Sequence, residues 1–238
     1  MGLTQTNTPC LPAKVGEGMK EHPILFSGEM VRAILEGKKT QTRRVIKSTG
    51  TVSPVQSSWE EWEPGIFGSC ATDGTTAIIK CPYGSPGDRL WVRETWAKVW
   101  NGETCLHPDK PCKGTICEGC HVEYKADSGD PYPGEWPPEE VCDETPRWKP
   151  SIHMPRWASR ITLEVLNVRV ERVQEITAAD CWAEGIRRLE DPSTPLQKSS
   201  RALDDFHMLW DSINAKRGYS WESNPFVWVV EFKLLEAQ

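Results

Sequence analysis

Apolar positions change their period several times along the chain. His22 to Phe26 is a short apolar run that reads as a strand. Ser27 stands where a helix N-cap belongs, and Met30, Val31, Ile34 and Leu35 then fall on one helical face, with Gly37 as the stop. Thr40 to Ile46 is rich in β-branched residues and reads as the next strand. Residues 48 to 75, rich in Ser, Thr, Gly and Pro, read as a connection. Ala77 to Lys80 and Arg89 to Val92 are strands flanking the turn from Tyr83 to Asp88, and His121 to Ala126 reads as another. Arg160 to Val173 alternates as a long strand, and the change of parity after Val165 predicts a bulge near Asn167. Thr177 caps a short helix that ends at Gly185. Leu203, Phe206, Leu209, Trp210 and Ile213 share one side of a helix from Ser200 to Asn214, and Pro225 opens a last strand.

Strands outnumber helices and do not alternate with them regularly. The predicted class is therefore α+β, a small mixed β-barrel flanked by two or three helices, and not a doubly wound parallel sheet. Residues 1–20 lack periodicity and read as a flexible tail. The remainder, 21–238, reads as one domain with insertions at about 48–75, 100–147 and 187–199. No run approaches the roughly 18 apolar residues of a membrane helix, and the first residues carry no apolar signal core, so the expectation is a cytoplasmic protein that uses no membrane.

Net charge is −6, which excludes a protein that coats nucleic acid non-specifically. The charge is uneven, however. Residues 127–144 hold seven acids and no Lys or Arg, whereas residues 29–47 hold six Lys and Arg against two Glu. A local basic site is compatible with the acidic total. Twelve tryptophans suit either core packing or stacking surfaces.

The densest chemistry lies in Gly37-Lys38-Lys39-Thr40-Gln41-Thr42-Arg43-Arg44, where a helix stops and a strand starts. Composition alone suits a solvated helix end, its lysines complementing the macrodipole. Lys39 and Thr42 would face opposite sides of a regular strand, so they converge only if Lys39 sits in the turn. This corner resembles the GxKxxTxR signature of ASCH domains, which share the PUA-like β-barrel. Tyr83 to Trp96, Pro150 to Val165 and Ile176 to Ile186 resemble further stretches of ASCH proteins from bacteria and their phages, in the family's order. One branch of that family removes the acetyl group from N4-acetylcytidine with a Lys and a Thr of this corner and a Glu at the end of the later helix. The resemblance places these on Lys39, Thr42 and Glu184, in a chain much longer than those amidohydrolases.

It implies a pocket for a modified pyrimidine nucleoside or an RNA base, with no catalytic metal. Lys39 would be the base, Thr42 the nucleophile or the group that positions a water, and Glu184 the acid/base and orienter. Arg43 and Arg44 of the same corner join the candidate substrate contacts. The alternative is a non-catalytic, regulatory RNA-binding protein of phage or prophage origin, and a ribonuclease is a third reading.

Trp148, His153, Arg156, Trp157 and Arg160 form a second constellation, cations interleaved with rings as in single-strand RNA contacts. The same residues would equally serve as a loop plugging the barrel and pairing with the acids of 127–144. Finally, Cys105, Cys112, Cys117 and Cys120 lie within sixteen residues at spacings that suit a structural zinc knuckle. Free thiols and a redox pair are the competing explanations.

Overall fold

The computed structural model describes residues 18–47, 59–70, 76–100, 120–128, 148–186 and 195–237, and every structural statement below concerns these. Five strands form the main sheet: β1 (Glu21–Leu25), β2 (Gln41–Val45), β6 (Arg89–Arg93), β9 (Ile161–Arg172) and β10 (Phe226–Ala237), in the order β1-β6-β9-β10-β2. Only β1 and β6 run parallel; the other pairings are antiparallel. A second sheet joins β3 (Glu60–Glu63), β4 (Ile66–Cys70) and β5 (Thr76–Lys80), and a ribbon pairs β7 (Trp96–Trp100) with β8 (Cys120–Tyr124). The helices are α1 (Gly28–Leu35), the one-turn α2 (Lys125–Ser128), α3 (Ala178–Ala183) and α4 (Pro195–Asn214). No helix among the described residues is long and apolar enough to cross a membrane.

The class is mixed α+β, mostly sheet. The expected barrel is not closed by a backbone ladder: among the described residues β1 and β2 remain the two edges of the main sheet. A side chain spans them instead, Arg44 of β2 donating from its guanidinium to the Leu25 carbonyl of β1 at 2.6 Å. Two strands occupy the stretch predicted as an unpatterned connection. Glu60–Glu63 carries no apolar alternation, all four residues being exposed, so periodicity had nothing to report there. β7 also went unpredicted, and α4 starts at Pro195, ahead of Ser200.

The β9 bulge falls where the parity change placed it. Glu231 faces Asn167 and Phe232 faces Val165, so Leu166 is the extra residue. Its effect is to keep Ile161, Leu163 and Val165 on one face together with Val168 and Val170 beyond it. That face builds the larger core with Ile24, Phe26, Leu90, Val92, Trp228, Val230 and Phe232, closed from outside by Val31 and Ile34 of α1 and by Phe67 and Ile79 of the second sheet. Val227 and Val229 point the other way, into a core with Cys181 of α3 and Ala202, Phe206 and Trp210 of α4. The main sheet is therefore covered on both sides, and β2 closes one edge between the two layers.

Candidate functional site

Two helix ends meet at the β2 edge, and both end in the same way. At α1, Gly37 (φ 69°) donates to Ile34 O and Lys38 donates to Ala33 O. At α3, Gly185 (φ 89°) donates to Trp182 O and Ile186 donates to Cys181 O. Each pair of bonds is a Schellman closure, which requires the left-handed backbone that glycine adopts without penalty. After Gly37 the chain is held by Lys39 N on Ala33 O and by Thr40 N on Ala183 O, the carbonyl at the end of α3. Lys39 thus sits in the turn and forms an isolated antiparallel bridge with Glu184, the C-cap of α3.

The side chains repeat that bridge. Lys39 Nζ donates to Glu184 Oε2 at 2.8 Å and to the Glu184 carbonyl at 2.7 Å. Their side chains are 1% and 6% exposed. Residues 145 positions apart therefore form a sheltered, twice-bonded ion pair. Burial pulls the Lys39 ammonium below the usual lysine range; Glu184 opposes this, while the Arg43 and Arg44 charges add to it.

Alternation along β2 splits the rest of the corner between two faces. Thr42 and Arg44 pair with Val230 and Trp228, on the face of the larger core. The Arg44 guanidinium lies 5.1 Å from the Phe26 ring centroid and Lys39 Nζ lies 5.9 Å from it, which brings Lys39 towards the face that carries Thr42. Thr42 is 3% exposed. Arg43 points to the opposite face, where it meets three carboxylates: Glu184 Oε1 at 3.3 Å, Glu171 Oε2 at 3.0 Å and Asp180 Oδ2 at 3.4 Å.

Glu171 and Asp180 were not anticipated, nor was Arg169, which pairs with Glu171, Glu231 and Asp180 and donates to Gln41 Oε1 at 3.3 Å. Two signals pointed to them. The bulge turns Arg169 and Glu171 away from the apolar row, and Thr177-x-x-Asp180 is a capping box in which Thr177 Oγ1 donates to Asp180 Oδ2 at 2.7 Å. Burial raises the Asp180 pKa, but the hydrogen bonds from Thr177 and the Arg43 charge outweigh it and lower it to about 2.

The other predicted contact residues lie elsewhere. Arg160 is held by Glu94 (3.0 Å) and Asp127 (2.5 Å), and its guanidinium lies 4.0 Å from the Tyr124 ring centroid. Its donors serve a packed ion cluster around Glu94, whose carboxyl is raised by burial against the pull of Arg160. Arg156 forks onto Glu21 at 2.8 and 3.1 Å. Trp148 is half-buried and His153 is exposed, while Trp157, 41% exposed, forms a T-shaped pair with Trp96. Direct contacts join Lys39, Arg43 and Glu184, with Thr42 and Arg44 on the same strand β2 facing the larger core; Trp148, His153, Arg156, Trp157 and Arg160 lie elsewhere.

Cys105, Cys112 and Cys117 lie outside the described residues, and Cys120 is described only through its backbone pairing with Trp100. Among the described residues no three His, Cys, Asp or Glu side chains are grouped to hold a metal ion. No family model, curated protein or solved structure matches the chain.

The corner can do acid–base chemistry. A neutral Lys39 amine keeps two N–H donors, enough for both Glu184 contacts, and has its lone pair left to accept a proton. Glu184 can take or return a proton across the 2.8 Å contact.

Proposed function

We propose that this chain is an ASCH-type protein of PUA-like fold that recognises a pyrimidine nucleoside or an RNA base and hydrolyses an N4-acyl group from cytosine. The observation that carries the proposal is the sheltered Lys39–Glu184 pair, with the Thr42 hydroxyl buried on the adjoining strand. The spanning of the two sheet edges by Arg44 supports the barrel-like part of the reading, since it draws β1 and β2 towards each other.

In this reaction the Lys39 amine takes a proton from the Thr42 hydroxyl, or from a water held by it, as that oxygen adds to the acyl carbonyl. The tetrahedral adduct collapses with cleavage of the C–N bond. The proton gained by Lys39 crosses to Glu184 and is delivered to the leaving exocyclic amine. Where Thr42 is the nucleophile, water then releases the acid from the acyl ester. The sum is amide plus water giving carboxylic acid plus cytosine amine, and no metal takes part. The four clustered cysteines we assign to a structural zinc that takes no part in this chemistry.

The test is turnover of N4-acetylcytidine and related N4-acyl cytosines, with product followed by chromatography. Lys39→Ala and Glu184→Gln are each expected to lower kcat/KM by at least about a hundredfold, the scale of general acid–base catalysis. A folded protein that turns over none of several acyl groups overturns the reading. The exposed Trp157 ring, with His153 also exposed nearby in the chain, favours a second reading as a non-catalytic RNA-binding protein. Oligonucleotide binding without any product would assign that role.

A further inference from the structure

Glu184 is shared between two cations of different kinds, a lysine and an arginine. Lys39 holds Oε2 and Arg43 holds Oε1. A guanidinium stays charged at any pH at which a protein is folded, whereas a desolvated lysine does not. Arg43 is itself 1% exposed in its side chain and anchored by Glu171 and Asp180, so it cannot turn out to solvent. We infer that Arg43 is a positioning residue: it serves as the permanent counter-ion of Glu184 and thereby lets Lys39 shed its proton without leaving a bare carboxylate behind. The inference rests on the hydrolytic reading of this corner and assigns to Arg43 a different role from the substrate contact expected of it.

The physical reason is the cost of burying charge. If Lys39 were the sole partner of Glu184, deprotonating Lys39 would strand a buried anion, a loss large enough to hold the ammonium in place. With Arg43 on the other oxygen, the same step leaves a Glu184–Arg43 ion pair and a neutral amine. The surroundings act in the same direction. From β2 the Arg43 and Arg44 charges disfavour the ammonium, as does burial; from α3 the Glu184 carboxylate favours it, and the Phe26 ring 5.9 Å away favours it weakly. Cys181 lies on the same helix, and its thiol is pushed up to about 12 by burial, so it adds no negative charge. Glu171 of β9 and Asp180 of α3 face Arg43 rather than Lys39 and weaken its field.

The experiment is the pH profile of kcat/KM for N4-acetylcytidine hydrolysis, paired with an NMR titration of the Lys39 side chain in the same proteins. In Arg43→Met the limb that reports the Lys39 base moves to higher pH. This gives at least about a tenfold loss at neutral pH that recovers under alkaline conditions, and Arg43→Lys restores part of the shift. Glu171→Gln, which removes a competitor for Arg43, moves the limb the other way and keeps the test available if Arg43→Met does not fold. Equal loss at every pH, or an unmoved Lys39 titration in a folded Arg43 variant, overturns the inference while leaving the hydrolase standing. Absence of turnover removes the hydrolase, and the NMR titration still decides the role of Arg43.

Discussion

Replacing Glu184 with Gln keeps the shape of the side chain and removes its charge. Arg43 retains Glu171 at 3.0 Å and Asp180 at 3.4 Å, so the cation left without a counter-ion is Lys39, whose side chain is 1% exposed. Removing one member of a buried ion pair costs about 3–5 kcal/mol, and the amide oxygen of the substitute can still accept from Nζ, which points to the lower end, about 3 kcal/mol. The cost must depend on pH. A lysine whose folded pKa lies below its unfolded value of about 10.4 binds fewer protons in the native state than in the unfolded one, so stability rises with pH across the interval between the two. Burial already lowers Lys39 in the native protein, and loss of the carboxylate that opposes this widens the interval. Urea unfolding at about pH 6 and about pH 9 should therefore give a large deficit at the lower value and a smaller one at the higher. Lys39→Met combined with Glu184→Gln should recover much of the loss at the lower pH, because no ammonium remains to be stranded. A deficit below about 1 kcal/mol at both values, or the same deficit at both, would refute the argument that Lys39 and Glu184 stabilise each other as buried ions.

Two further outcomes follow from the same corner and from the cysteine-rich segment. Gly185→Ala places a Cβ at φ 89°, 3.2 Å from Lys39 Cβ and 3.3 Å from Ala33 Cβ, so it should cost about 1–2 kcal/mol in thermal unfolding and misplace Lys39; an unchanged melting temperature and unchanged turnover would contradict this. Metal analysis of purified protein should find one zinc per chain that is lost in Cys117→Ser and Cys120→Ser, and a metal-free wild type that melts normally would refute the knuckle.

Local patterns carried most of the fold. Period and capping placed α1, β9 with its bulge, α3 and β10 to within a few residues, because each presents an apolar row to one of two cores. Glu60–Glu63 was opaque because its residues are exposed, and its pairing is decided by β4 alongside. The same contrast holds at the site. Gly37 and Gly185 announce turns, whereas the meeting of Lys39 with Glu184 is not written in any local pattern, because the two residues are 145 positions apart. The role of Arg43 was hidden for a different reason. Its neighbours Glu171 and Asp180 arrive from β9 and α3 only after the sheet has formed, and the strand register decides which face of β2 each side chain takes.

The great sequence separation between the two partners of the corner has a bearing on how this chain can diversify. Closing a loop costs conformational entropy that grows only with the logarithm of its length, about 0.6 kcal/mol for each doubling. Segments between β2 and α3 could thus be lengthened or exchanged at little thermodynamic expense, provided the β9–β10–β2 register persists. Conversely, the Lys39–Glu184 contact forms only when nearly the whole topology is in place, so its integrity reports on global folding.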